Sequence, residues 1–104
     1  MPRNGFEIMF TRGDHCWRAF ATGSPALNGV YAERATYYLA ISALVKKIET
    51  ITAIPACVIW REQAALYERA AGYTDNPKDA SLFRDLSAWM KVKAKERGGN
   101  EISA

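Results

Sequence analysis

Hydrophobic and polar positions alternate near the start of the chain. Phe6, Ile8 and Phe10 are spaced by Glu7 and Met9, the period of a strand with one buried face. Gly13-Asp14 offers a two-residue turn with glycine in the first central position, as a type II′ turn requires. Residues 6–21 therefore predict a β-hairpin. Counting outward from that turn sets Arg12 opposite His15, Phe10 opposite Trp17, Ile8 opposite Ala19 and Phe6 opposite Ala21. The second face would pair Thr11 with Cys16, Met9 with Arg18 and Glu7 with Phe20.

Thr22 to Gly29 is rich in Gly, Ser, Pro and Asn and predicts a loop, after which Val30-Tyr31 would open a short third strand. Tyr37, Ile41, Leu44 and Ile48 then recur at helical spacing and predict a helix over 32–48. The apolar run Ala56-Cys57-Val58-Ile59-Trp60 behind Pro55 fits a central strand covered on both faces. Glu62 to Ala71 predicts a second helix closed by Gly72. Asn76-Pro77-Lys78-Asp79 carries the signals of a helix start: a capping side chain, proline in the first turn and an acid near the positive dipole end. This third helix would run to about Arg97 and stop at Gly98-Gly99, with Leu82, Phe83, Leu86, Trp89 and Met90 as its apolar stripe. The expected class is α+β: an N-terminal hairpin (three strands if Val30-Tyr31 opens another), a helix, a central strand, then two helices packed on the small sheet. The 104 residues leave room for one core. We therefore expect a single compact domain over 1–97 and a flexible tail over 98–104.

Composition removes whole classes of function. A chain 49% hydrophobic and 24% charged is neither disordered nor collagen-like. Its longest apolar run, Ala53 to Trp60, is eight residues and contains Pro55, whereas a spanning helix needs about 20. Glu7 interrupts any apolar signal segment near the start. Two cysteines, Cys16 and Cys57, in a chain able to build a core read as free thiols in a reducing compartment. Cytoplasm is the expected location, with no membrane association.

Catalytic and cofactor patterns are missing from the sequence. His15, the one histidine, adjoins Cys16, but neighbours on a strand face opposite sides and make no dyad. One His and two distant Cys give no metal spacing, and Gly23 and Gly29 do not lead from a strand into a helix as a phosphate loop would. We expect no catalytic residue, no metal and no cofactor. Arg12-Gly13-Asp14 spells the tripeptide displayed by adhesion ligands, but turn formation accounts for Gly13-Asp14.

The order of three strands, a helix, a strand and further helices resembles the ribonuclease H family over residues 6–90. That resemblance implies divalent-metal ligands on the first strand, the first helix and the following strand end. Glu33 falls at the helix position. The first-strand stretch Phe10-Thr11-Arg12-Gly13 offers Arg12, and the strand end offers Arg61 with Glu62 one residue late. Cations in place of acids would repel the metal, so the resemblance implies an inactive relative, or an enzyme only if Glu33 and Glu62 served as ligands.

The leading expectation is a non-enzymatic binding or regulatory module that contacts another protein. Its contact residues would be Arg12, Asp14 and His15 at the hairpin tip, Tyr31 in the 22–31 loop, and Tyr38. The alternative is nucleic-acid binding. Fourteen Lys and Arg face eleven Asp and Glu, and the surplus of +3 lies between Lys91 and Arg97. Arg84, Lys91 and Lys95 form a stripe on the third helix that could meet phosphates. The exposed strand of the hairpin could also pair with a second copy to give a homodimer.

Overall fold

The computed structural model describes residues 5–96 in full and carries the backbone of the last helix on to Ser103. The tail expected over 98–104 thus lies outside the fully described residues. The architecture is α+β: a three-stranded antiparallel sheet followed by three helices. The chain forms two compact units, residues 1–54 and 55–104.

In the first unit, β1 (Glu7–Arg12) pairs with β2 (Trp17–Thr22), and β2 pairs with β3 (Tyr31–Arg34). Helix α1 (Tyr37–Thr52) packs on one face of this sheet. The predicted hairpin is present with its faces as read, but its register is displaced by two residues. Phe10 lies opposite Ala19, Ile8 opposite Ala21 and Arg12 opposite Trp17. The turn is centred on Asp14-His15, closed by the Gly13 amide donating to the Cys16 carbonyl at 2.7 Å. Side chains alternate with period two, so this shift leaves each residue on its predicted face. Gly23 helps to fix the displaced register. Its φ is +94°, and a Cβ there would stand 2.9 Å from the Gly5 carbonyl oxygen.

The inner face carries Ile8, Ala19 and Ala32, all buried. Ala19 and Ala32 are cross-strand partners at the centre of the sheet, and their small side chains let α1 approach. That helix buries Ala40, Ile41, Leu44, Val45 and Ile48. At its N-terminal end Tyr37 stacks on Phe10 (5.4 Å between centroids) and meets Trp17 edge-on (5.3 Å).

The helix expected over 32–48 starts later and ends later. Residues 31–34 join the sheet instead, and Thr36 begins the helix by accepting the Leu39 amide on Oγ1 at 3.2 Å. At its other end Ala53 adopts the left-handed conformation, φ 60°, and donates its amide to Glu49 at 2.8 Å.

The second unit holds α2 (Ala56–Tyr73) and α3 (Pro77–Ser103), packed on each other. The central strand expected over 56–60 is absent: Ala56 to Trp60 is the opening of α2. Buried Ala56, Cys57, Ile59, Trp60, Gln63, Ala64, Tyr67 and Ala71 repeat at helical spacing, and the apolar run is simply their dense beginning. Gly72 lies inside this helix, not beyond its end. Trp60 and Trp89 meet edge-to-face at 5.0 Å, Tyr67 and Phe83 approach to 5.7 Å, and the buried Ser87 hydroxyl donates to the Ala64 carbonyl at 2.8 Å. Helix α3 starts as read: Asn76 Oδ1 accepts the Lys78 amide at 2.9 Å. Its backbone continues past Gly98-Gly99, the stop read from sequence. Among the described residues no helix is long and apolar enough to cross a membrane.

Candidate functional site

The outer face of the sheet is the one α1 does not cover. Alternation places Glu7, Met9 and Thr11 of β1 there, with Arg18, Phe20 and Thr22 of β2 and Tyr31 and Glu33 of β3. Register then brings chemistry together across strands. Met9 lies opposite Phe20, and Phe20 opposite Tyr31, so one apolar row spans all three strands. Two of its members stay open to solvent, Met9 at 41% and Tyr31 at 44% exposure. Thr11, Arg18 and Glu33 form the next row.

Tyr31 is the centre of this surface. The Arg18 guanidinium lies 4.7 Å from its ring centroid and the Lys47 ammonium 5.8 Å. Both approaches are of the kind that cation–π attraction favours. Lys47 also donates to the Tyr31 carbonyl at 2.7 Å, and Arg18 pairs with Glu33 at 3.4 Å. The same carboxylate accepts the Cys16 thiol at 3.4 Å. That bond, with partial loss of hydration and the nearby Glu33 charge, pushes the Cys16 pKa above its ordinary value, while Arg18 pulls in the other direction. The environment thus favours the thiol of Cys16 over the thiolate, the form that acts as nucleophile and metal ligand.

An open cleft of about 750 Å³ lies between this face and the 22–30 loop, lined by Phe20, Pro25, Asn28, Val30, Tyr31 and Arg18 among others. A smaller hollow of about 390 Å³ adjoins it at Tyr31 and follows β3, with Glu33, Arg34 and Lys47 on its sides. The β3 edge itself is guarded. Given the Gly13–Cys16 bond, alternation of the ladder turns the Tyr31 and Glu33 carbonyls away from β2. Lys47 occupies the first, and Arg34 donates to the second at 2.6 Å.

Of the partner-contact residues singled out from sequence, the structure brings Tyr31 alone into this cluster; Glu33, read as a metal ligand on a helix, joins it from β3. Arg12, Asp14 and His15 are exposed at the hairpin tip, with the Arg12 guanidinium 5.7 Å from the Trp17 ring centroid. This contact lays the Arg12 side chain across onto its register partner in β2. Tyr38 is half-buried with its ring 4.3 Å from Tyr37. On α3, Arg84, Lys91 and Lys95 are exposed, and Lys91 pairs with Glu68 at 3.2 Å. Arg18, Phe20 and Lys47 were not singled out. Alternation had already put Arg18 and Phe20 on the face with Glu7 and Met9, and an exposed aromatic beside a cation was the available signal. Lys47 is sixteen residues from the carbonyl it binds, and no spacing rule reaches it.

The topology expected of a ribonuclease H relative is not formed, since the fourth strand is replaced by α2. Glu33 sits on β3 rather than on a helix, engaged with Arg18 and Cys16. Among the described residues no group of three or more His, Cys, Asp or Glu is placed to hold a metal ion. Comparison of the chain with protein-family models, curated proteins and solved structures returned no match.

Proposed function

We propose that this chain is a non-enzymatic binding or regulatory module that acts by contact with another protein, through the cleft beside Tyr31. The observation that carries this reading is an exposed tyrosine held between two cations at the mouth of an open, largely apolar cleft. Tyr and Arg dominate the energetic centres of protein interfaces, because each combines large contact area with directed polar groups. A ring already fixed by neighbours also loses little rotamer freedom on binding. The alternative, nucleic acid on the Arg84, Lys91 and Lys95 stripe, is weakened by the Lys91–Glu68 pair, which satisfies one of the three cations within α2 and α3. Cys16 and Cys57 are not joined in a disulfide, which suits a reducing setting, and the cytoplasm remains the location we propose.

The test is capture of a partner from native lysate on the immobilised chain, at low and high salt, with Tyr31→Ala as the comparison. A partner recovered by the parent chain and lost with Tyr31→Ala, at unchanged circular dichroism, is the expected result. Equal recovery by both chains refutes the site, and recovery of nucleic acid alone refutes the class.

A further inference from the structure

The charges that line the cleft have one dominant sign, with Glu7 a further acid on the same face, opposite Thr22. Along the cleft and its adjoining hollow the charged side chains are Arg18, Arg34, Lys47 and a single acid, Glu33. The floor between them is apolar, formed by Phe20, Pro25, Val30 and the Tyr31 ring. We propose that the occupant is an extended acidic segment of a partner protein. One apolar side chain of that segment seats against Phe20 and Tyr31, and flanking carboxylates meet Arg18 and Lys47. This inference rests on the protein-contact reading above and adds the chemistry of the partner.

Three observations favour that occupant. First, both cations keep donors to spare. Arg18 gives Nη2 to Glu33 and Lys47 gives one donor to the Tyr31 carbonyl, whereas a guanidinium carries five N–H groups and an ammonium three. Second, the Tyr31 and Glu33 carbonyls already accept from Lys47 and Arg34, which disfavours addition of a partner strand at the β3 edge. Recognition through side chains in the cleft needs no continued sheet. Third, three cations with an acid among them fall short of the run of cations that phosphate-driven binding draws on. An apolar seat with a cationic margin suits a peptide carrying both kinds of side chain.

The probe is an immobilised pool of random peptides, screened with the labelled full chain and, in parallel, with single-stranded oligonucleotides. The variants are Arg18→Glu, Arg18→Gln and, as a control on a distant charge, Arg84→Glu, each checked for unchanged thermal melting. The expected result is enrichment of peptides combining Asp or Glu with an aromatic or aliphatic residue. Binding of the selected peptides should fall about tenfold with Arg18→Glu and less with Arg18→Gln, stay unchanged with Arg84→Glu, and weaken with salt. Selection of neutral or basic peptides overturns the acidic partner while leaving the protein-contact reading standing. Acidic peptides that bind Arg18→Glu as well as the parent overturn the site. No selected peptide at all, or retention of oligonucleotides alone, overturns both.

Discussion

Gly23 is the residue whose side chain matters most by being absent. At φ +94° an L-residue is strained, and the nearest obstacle to a Cβ is a backbone carbonyl 2.9 Å away, which cannot swing aside as a flexible side chain would. Gly23→Ala should cost about 2 kcal/mol or more, read as a lower denaturant midpoint at unchanged slope. The strain also sits at the end of β2 next to the cleft, so the same variant should disturb the loop that forms one wall. Cys16 gives a residue-scale prediction with a pH sign. Its thiol is held protonated by Glu33, so in a Cys57→Ala background it should alkylate more slowly near pH 8 than the same thiol in denaturant. Glu33→Gln removes the nearby charge and should speed the reaction. Because the folded pKa is raised, folding favours the neutral thiol. That contribution is complete below the unfolded value and drains away as pH rises through the folded one.

Helix α1 shows at the scale of an element how local signals and pairing compete. Ala32, Glu33, Arg34 and Ala35 are good helix formers, and sequence reasoning took them into the helix. In the structure residues 32–34 pair with β2 in the sheet, and Thr36 starts the helix instead. Thr36→Ala should cost about 1 kcal/mol, since it orphans the Leu39 amide. At the other end Ala53 occupies a left-handed position that glycine would adopt without strain. Ala53→Gly should raise stability by about 0.5 kcal/mol, the relief of strain being partly offset by the greater freedom of glycine in the unfolded chain. Thermal melts of the two variants should therefore move in opposite directions.

Much at this scale was legible. The strand faces follow from alternation, and the start of α3 from Asn76-Pro77. The hairpin register was not, because a displacement of two leaves every face unchanged and both Gly13-Asp14 and Asp14-His15 can make a turn. The run Ala56 to Trp60 misled for a related reason: five apolar residues look alike in a buried strand and in the first turns of a buried helix. The candidate site was harder still. Tyr31 could be named from its loop, but Arg18 and Lys47 reach it through sheet pairing and helix packing, which leave no periodic trace.

For the molecule as a whole, the guarded β3 edge bears on association. A homodimer through the exposed strand of the hairpin was one expectation; that strand, β1, forms one edge of the sheet, while at the opposite edge, β3, the carbonyls a partner strand would use are taken by Lys47 and Arg34. Replacing both with alanine should release the edge. Sedimentation of Lys47→Ala plus Arg34→Ala should show concentration-dependent self-association, with the parent chain as reference. A double variant that sediments like the parent would mean that the two cations do not set the oligomeric state.

Replacing the expected central strand by α2 also alters how the chain comes into being. A strand at 56–60 would have left the sheet incomplete until the second half of the protein had been made. As built, β1, β2, β3 and α1 follow one another in space as they do in the chain, and all end by Ile54. Proteins are synthesised from the N-terminus at a pace slow compared with the folding of domains rich in local contacts. The residues of the surface that carries Tyr31, with its β3 edge guarded, are therefore all synthesised before α2 and α3.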